Sequence, residues 1–91
     1  MLKAATIKIG GSVQGVGFRY FVQRVGSHAG VTGYVRNFED DVEVYAEGTE
    51  EQLNNFAERI KQGPPQSRVT HFSFQLQDLK KKKYNTFNVT F

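Results

Sequence analysis

The apolar residues of this chain change their spacing in a definite order along its length, and that order limits the fold more than any other feature. Over residues 4–10, Ile7 and Ile9 share one parity while Thr6 and Lys8 occupy the other, the period of a half-buried strand. Phe18, Phe21, Val22, Val25 and Ala29 then fall on one face of an amphipathic helix ending near Gly30, with Gly26 as a weak point in its last turn. TGYVRNF (32–38) and VEVYAEG (42–48) are rich in β-formers and flank the turn-like Glu39-Asp40-Asp41, as a hairpin requires. Thr49-Glu50-Glu51-Gln52 has the form of a capping box, and Leu53, Phe56, Ala57 and Ile60 make the stripe of a second helix stopped by Gly63-Pro64-Pro65. VTHFSFQL (69–76) returns to alternation, with Phe72, Phe74 and Leu76 on one side. FNVTF (87–91) alternates again.

Strand, helix, strand, strand, helix, strand is the order of the split βαβ, ferredoxin-like arrangement. The expectation is an α+β sandwich: an antiparallel sheet of four strands, a short fifth strand at 87–91 closing it, and two helices on one face. The 91 residues suffice for one core, so one domain spanning residues 1–91 is expected. The chain has no cysteine, which excludes a disulfide framework, a thiolate nucleophile and a cysteine zinc site. No apolar run reaches the roughly 18 residues that a membrane span needs, and the N-terminal residues lack the pattern of a signal peptide. A cytoplasmic protein with no membrane association is expected.

Between the first strand and the first helix lies VQGVGFR (13–19), two glycines followed by an arginine in the first helical turn. Helix N-termini carry about half a positive charge, so a cation there is disfavoured by about 0.3–1 kcal/mol. An anion between the two reverses that sign; alternatively Arg19 points to solvent, where its cost is screened. Gly15 and Gly17 permit backbone angles that let successive N–H groups converge on an anion, although tight turns use glycine for the same freedom. The surroundings lean basic, since Lys3, Lys8, Arg19, Arg24 and Arg36 precede the first carboxylate, Glu39.

The loop is neither of the common nucleotide motifs. No Lys-Ser or Lys-Thr pair follows it, and about 20 residues on, where a dinucleotide site carries an acid, stand Arg36 and Asn37. His28 and His71 have no spacing suited to a metal or a triad and read as structural or surface residues; Ser12 has no visible base. What remains is a set of anion-binding groups without strong acids or bases. Such a set suits phosphoryl transfer through a loose transition state, which asks for positioning and electrostatic stabilisation. If the leaving group is a carboxylate, with a conjugate-acid pKa of about 4, no general acid is needed to expel it. Hydrolysis of a carboxylic–phosphoric anhydride then needs only an oriented water, which an uncharged amide can hold.

With these residues in view the chain resembles an acylphosphatase. GSVQGVGFRYFVQ (11–23) is similar to the family's phosphate-loop signature and GVTGYVRN (30–37) to its second signature, while VEVYAEG and the Gly63-Pro64-Pro65 turn agree in place and kind. The likeness covers about residues 4–75, with the last strand resembling the family only loosely. It implies hydrolysis of acyl phosphates to carboxylate and inorganic phosphate, Arg19 gripping phosphoryl oxygens in bidentate fashion, and Asn37 holding the attacking water. It further implies backbone N–H groups of Gln14, Gly15, Val16, Gly17 and Phe18 as the rest of the cradle, no cofactor and no metal. Two departures stand out: Glu39-Asp40-Asp41 replaces the common Asp-Gly turn, and Tyr34 stands where tryptophan is frequent.

The rival from another class is RNA recognition, which uses the same element order and basic character. Its stacking aromatics are missing from the first strand, and the outward parity of the third, Glu43, Tyr45, Glu47, sets two carboxylates around one ring. A family-like fold that binds phosphate without turnover is a second rival. Tyr20, Arg24 and Arg36 read as structural or long-range electrostatic residues, and Lys80–Lys83 as a solvated turn. The expected partners are a small acyl phosphate and inorganic phosphate as product and competitor, with no nucleic acid and the chain a monomer.

Overall fold

A computed structural model describes residues 1–91. The chain runs β1 (Leu2–Ser12), α1 (Phe18–Ala29), β2 (Thr32–Phe38), β3 (Asp41–Thr49), α2 (Glu50–Gln62), β4 (Arg68–Asp78) and β5 (Phe87–Val89). The strands form one sheet in the order β4-β1-β3-β2-β5. Alternation decides which side each strand buries. Ala5, Ile7 and Ile9 of β1, Val35 of β2 and Val42, Val44 and Ala46 of β3 form one cluster with Phe18, Val22 and Val25 of α1 and Leu53, Phe56 and Ile60 of α2. Both helices therefore cover one face, as the ferredoxin-like order requires. Ile7 lies opposite Phe74 and Ile9 opposite Phe72, so β4 adds its half-buried phenylalanines to the same side.

The caps follow the local sequence. Thr49 Oγ1 accepts from Gln52 N–H at 3.1 Å while Gln52 Oε1 accepts from Thr49 N–H at 2.9 Å, which completes the capping box. Gly30, at φ 80°, closes α1 in the left-handed conformation, and Val31 N–H bonds back to Gly26 O at 3.1 Å. Gly26, a weakness on helix propensity alone, has a packing reason: a Cβ there would come within 2.9 Å of the Phe87 ring. No helix is long and apolar enough to cross a membrane.

Three features differ from the sequence-based expectation. The sheet is mixed, because β5 pairs with β2 in parallel, Gly33 opposite Phe87 through Val35 opposite Val89. The chain leaves β4 at one edge and joins β2 at the other, so residues 79–86 cross the face of the sheet opposite the helices. The strand is also shorter than 87–91: regular pairing ends at Val89, after which Thr90 keeps one bond to Val35 O and Thr90 O and the Phe91 ring meet Arg19 of α1. Finally, the crossing segment covers part of what parity alone predicts to be open. Glu47 is 0% exposed, and Tyr84 packs on Tyr34 and Tyr45 with centroids 5.8 and 5.6 Å away. Burial, and for Tyr45 a hydrogen bond to Glu47, push both the Tyr34 and Tyr45 phenols up from the ordinary tyrosine range. The Lys80–Lys83 side chains are exposed, as a solvated turn requires.

Candidate active site

The turn from β1 into α1 is set by small residues with unusual backbone angles. Gly15 and Gly17 sit at φ 76° and 78°, left-handed values that would strain a side-chain-bearing residue, and a Cβ on either would meet nothing within 4 Å. Both conformations are needed for the path of the chain, and both leave space in front of the loop. Val13, 1% exposed, and Phe18, likewise 1%, plug the two ends of the loop into the core. The side chain of Gln14 ties the middle down by donating from Nε2 to the backbone oxygens of Glu39 at 2.8 Å and Asp41 at 2.9 Å.

No backbone N–H from Gln14 through Tyr20 donates to a protein oxygen; the first N–H of α1 that does so is that of Phe21, to Gly17 O at 3.1 Å. The N-cap Gly17 supplies no side-chain acceptor, and the first turn holds no acidic residue. Helix ends ordinarily satisfy these donors with a cap or with water. Here a run of donors and the positive end of the α1 dipole are left without a protein acceptor beside one cavity of about 90 Å³, walled by Val13, Gly15, Gly17, Phe18, Arg19, Tyr20 and Asn37, with Gln14 and Val16 off its walls. That volume is on the order of three water molecules' share of the liquid, the scale of one small oxyanion.

Arg19 and Asn37 reach this cavity from different elements. Arg19 stands in the first turn of α1 and has no carboxylate partner; the ion pairs of the protein are Lys3 with Glu50 and Asp78, and Arg36 with Glu43. Its guanidinium rests instead on the end of the chain, with Nη1 donating to Thr90 O over a long 3.5 Å and Cζ lying 4.8 Å from the centre of the Phe91 ring. Neither contact neutralises its charge. Asn37 lies opposite Val42 near the end of β2, on the helix side of the sheet. Its Oδ1 is buried without a hydrogen-bond partner, and no protein group bonds its Nδ2. A carboxamide with both ends unengaged beside a cationic cavity is available to hold a water.

The structure thus brings Gly15, Gly17, Phe18, Arg19 and Asn37 of the residues singled out in the sequence to one cavity, while Gln14 and Val16 do not line it and Val16 packs against the core. Gln14 has in addition a side-chain role that spacing does not reveal. Three contributors were not legible: Tyr20, which walls the cavity while 56% exposed, and Thr90 and Phe91, which hold Arg19. Arg36 is committed to Glu43 at 2.7 Å, a bond that holds it charged. His28 and His71 are exposed and stand apart from the cavity. A larger, open depression of about 680 Å³ lies between the end of α1 and α2 and mixes both signs of charge, with Glu51, Glu58 and Arg59 on its walls. It has no comparable run of unpaired donors.

The sequence model of the family described as Acylphosphatase matches residues 5–89. An acylphosphatase of Thermotoga petrophila is 47% identical over 75 residues, covering 81% of this chain and 83% of the relative. One from Archaeoglobus fulgidus is 39% identical over 89 residues, covering 97% and 98%. The crystal structure of acylphosphatase from Bacillus subtilis superposes with a TM-score of 0.88 at 39% identity, covering 100% of both chains.

Proposed function

The chain belongs to the acylphosphatase family, and from that premise we propose how its residues divide the work of hydrolysing the carboxyl–phosphate bond of acyl phosphates. The phosphoryl group enters the cavity in front of α1. Its oxygens accept from the N–H groups of Gln14 through Phe18 and from the Arg19 guanidinium, whose fork matches two oxygens at once. Asn37 holds a water on the side of the phosphorus away from the acyl oxygen. The water oxygen bonds to phosphorus as the bond to the acyl oxygen breaks, and that oxygen leaves with the electron pair as a carboxylate. The water's protons pass to the phosphate and to solvent. A leaving group with a conjugate-acid pKa of about 4 needs no proton from the protein, so no step is routed through a metal or a general acid.

The observation that carries this reading is the run of N–H groups from Gln14 to Tyr20 without protein acceptors, in the loop that walls the same cavity as an arginine without a carboxylate partner. Donors already aimed at the developing charge need no reorganisation, and one such donor is ordinarily worth about 10²–10³ in turnover. Every group invoked comes from one chain, which fits a monomer as the acting unit.

The test is release of phosphate from an aryl acyl phosphate in the presence of a chelator. Activity is expected to persist, and inorganic phosphate to compete. Arg19→Gln is expected to abolish both turnover and phosphate competition while the circular dichroism spectrum is unchanged. Retained competition in that variant would mean that Arg19 does not grip the phosphoryl group.

A further inference from the structure

The mechanism leaves one buried carboxylate unused. Glu47 of β3 is 0% exposed and has no cationic partner. A bare buried carboxylate is costly, and this one is satisfied wholly by hydrogen bonds. Oε1 accepts from the backbone N–H groups of Lys83 at 2.9 Å and Tyr84 at 3.0 Å, and Oε2 accepts from Tyr45 Oη at 2.7 Å. Two consecutive amides on one oxygen form a small anion-holding nest. The consequence is mechanical: the carboxylate pins the crossing segment to the sheet just before it becomes β5.

From that pin to the cavity the chain is tied at nearly every residue. Gly33 N–H bonds Thr86 O at 2.9 Å. Phe87 packs on Phe56 with centroids 5.6 Å apart and accepts at its backbone oxygen from Gln23 Nε2 at 3.2 Å. Thr90 N–H bonds Val35 O at 2.8 Å, and Thr90 O and the Phe91 ring then carry Arg19. Phe91 is itself 91% exposed, so its place depends on what precedes it. We propose that Glu47 is a positioning residue for Arg19, acting through the strap Lys83–Phe91 that it anchors, and so sets the affinity of the cradle for the phosphoryl group. This rests on the assignment of Arg19 to that group.

Binding of inorganic phosphate, measured by titration calorimetry, tests the proposal in full-length variants. Glu47→Ala frees the Lys83 and Tyr84 end of the strap and is expected to weaken phosphate about tenfold, equivalent to about 1.4 kcal/mol, within the ordinary range of coupling between sites. KM for an acyl phosphate should rise with it. Glu47→Gln keeps an oxygen for the two amides and should restore affinity to within about threefold of the parent. Phe91→Ala removes an exposed cation–π contact and should cost about threefold. In the Glu47→Ala background it should cost nothing more, since both act through one contact. A purely structural Glu47 would lower the melting temperature and leave these affinities unmoved.

A measurement on the parent decides the matter even if Glu47→Ala does not fold. Because coupling is reciprocal, saturating phosphate should slow hydrogen exchange at the Lys83 and Tyr84 amides, and Arg19→Gln should abolish that slowing. Unchanged exchange on phosphate binding overturns the proposal, as do losses that multiply in the double variant. If Arg19→Gln binds phosphate like the parent, the site assignment itself falls. If Arg19→Gln loses phosphate while the Glu47 variants and the exchange rates do not respond, only the strap falls.

Discussion

Asn37 offers a test in which stability and activity are expected to part company. Its Oδ1 makes no hydrogen bond to a protein group and borders the cavity, where a water can satisfy it. Asn37→Ala deletes that oxygen. It also removes a few packing contacts at the end of β2, but the side chain borders an existing cavity rather than the interior of the core, so the hole left behind merges with space already present. No hydrogen bond to the rest of the protein is lost and no core cavity is opened, so the net effect on stability is within about 0.5 kcal/mol of zero. For a domain of this size 1 kcal/mol corresponds to about 4–8 °C in melting temperature, so calorimetry should find Tm within a few degrees of the parent. Turnover of an acyl phosphate should fall by about 10²–10³, the ordinary effect of losing one positioning contact in a reacting site. Phosphate affinity should hold, because the water and not the phosphoryl group loses its partner. A Tm lowered by several degrees would mean that Asn37 is a structural strand-end residue, and retained turnover would mean that something else aims the water.

Three further outcomes are expected. Arg19→Lys keeps the charge and loses the planar fork, so phosphate binding should persist in weakened form while turnover falls at least a hundredfold in steady-state kinetics. Glu39 sits at φ 55°, a left-handed angle that costs a side-chain-bearing residue about 1 kcal/mol or more. Glu39→Gly should therefore raise stability by a few tenths to about 1 kcal/mol in urea titration, with activity kept, since the carbonyl that Gln14 uses remains. The Tyr45 phenol is pushed up by burial first and then by its hydrogen bond to Glu47, so the folded state holds this proton more tightly than the unfolded one. Its contribution is complete below the unfolded tyrosine value of about 10 and is lost as pH rises through and beyond it. Melting temperature should drop above about pH 10, and Tyr45→Phe should flatten that alkaline slope.

Much of the fold can be read from local order because the signals are themselves local. A capping box needs residues three apart, an amphipathic stripe repeats within two turns, and alternation in β1, β3 and β4 assigns a core face before any partner strand is known. The phosphate-loop reading has the same origin: Gly15, Gly17 and Arg19 lie within five consecutive positions, and the helix that follows aims their donors. Asn37 is different. On its own spacing it is a turn former, and it gains a role only from the second motif around it and from the sheet that sets it at the same cavity as Arg19.

What the chain alone determined, then, is the succession of elements, the face each one buries and the chemistry available at the start of α1, since each depends on neighbours within a turn or a strand. Tertiary structure decided the rest. Parity places Glu47 outward beside Tyr45, and only the passage of residues 79–86 across the sheet buries it and supplies its two amide donors. The parallel pairing of β5 follows from where that crossing ends, and so does the support of Arg19 by Thr90 and Phe91, which lie at the far end of the chain from it. Contacts at such separation are selected by the closing of the whole sheet against its helices, a property that no window of the sequence contains.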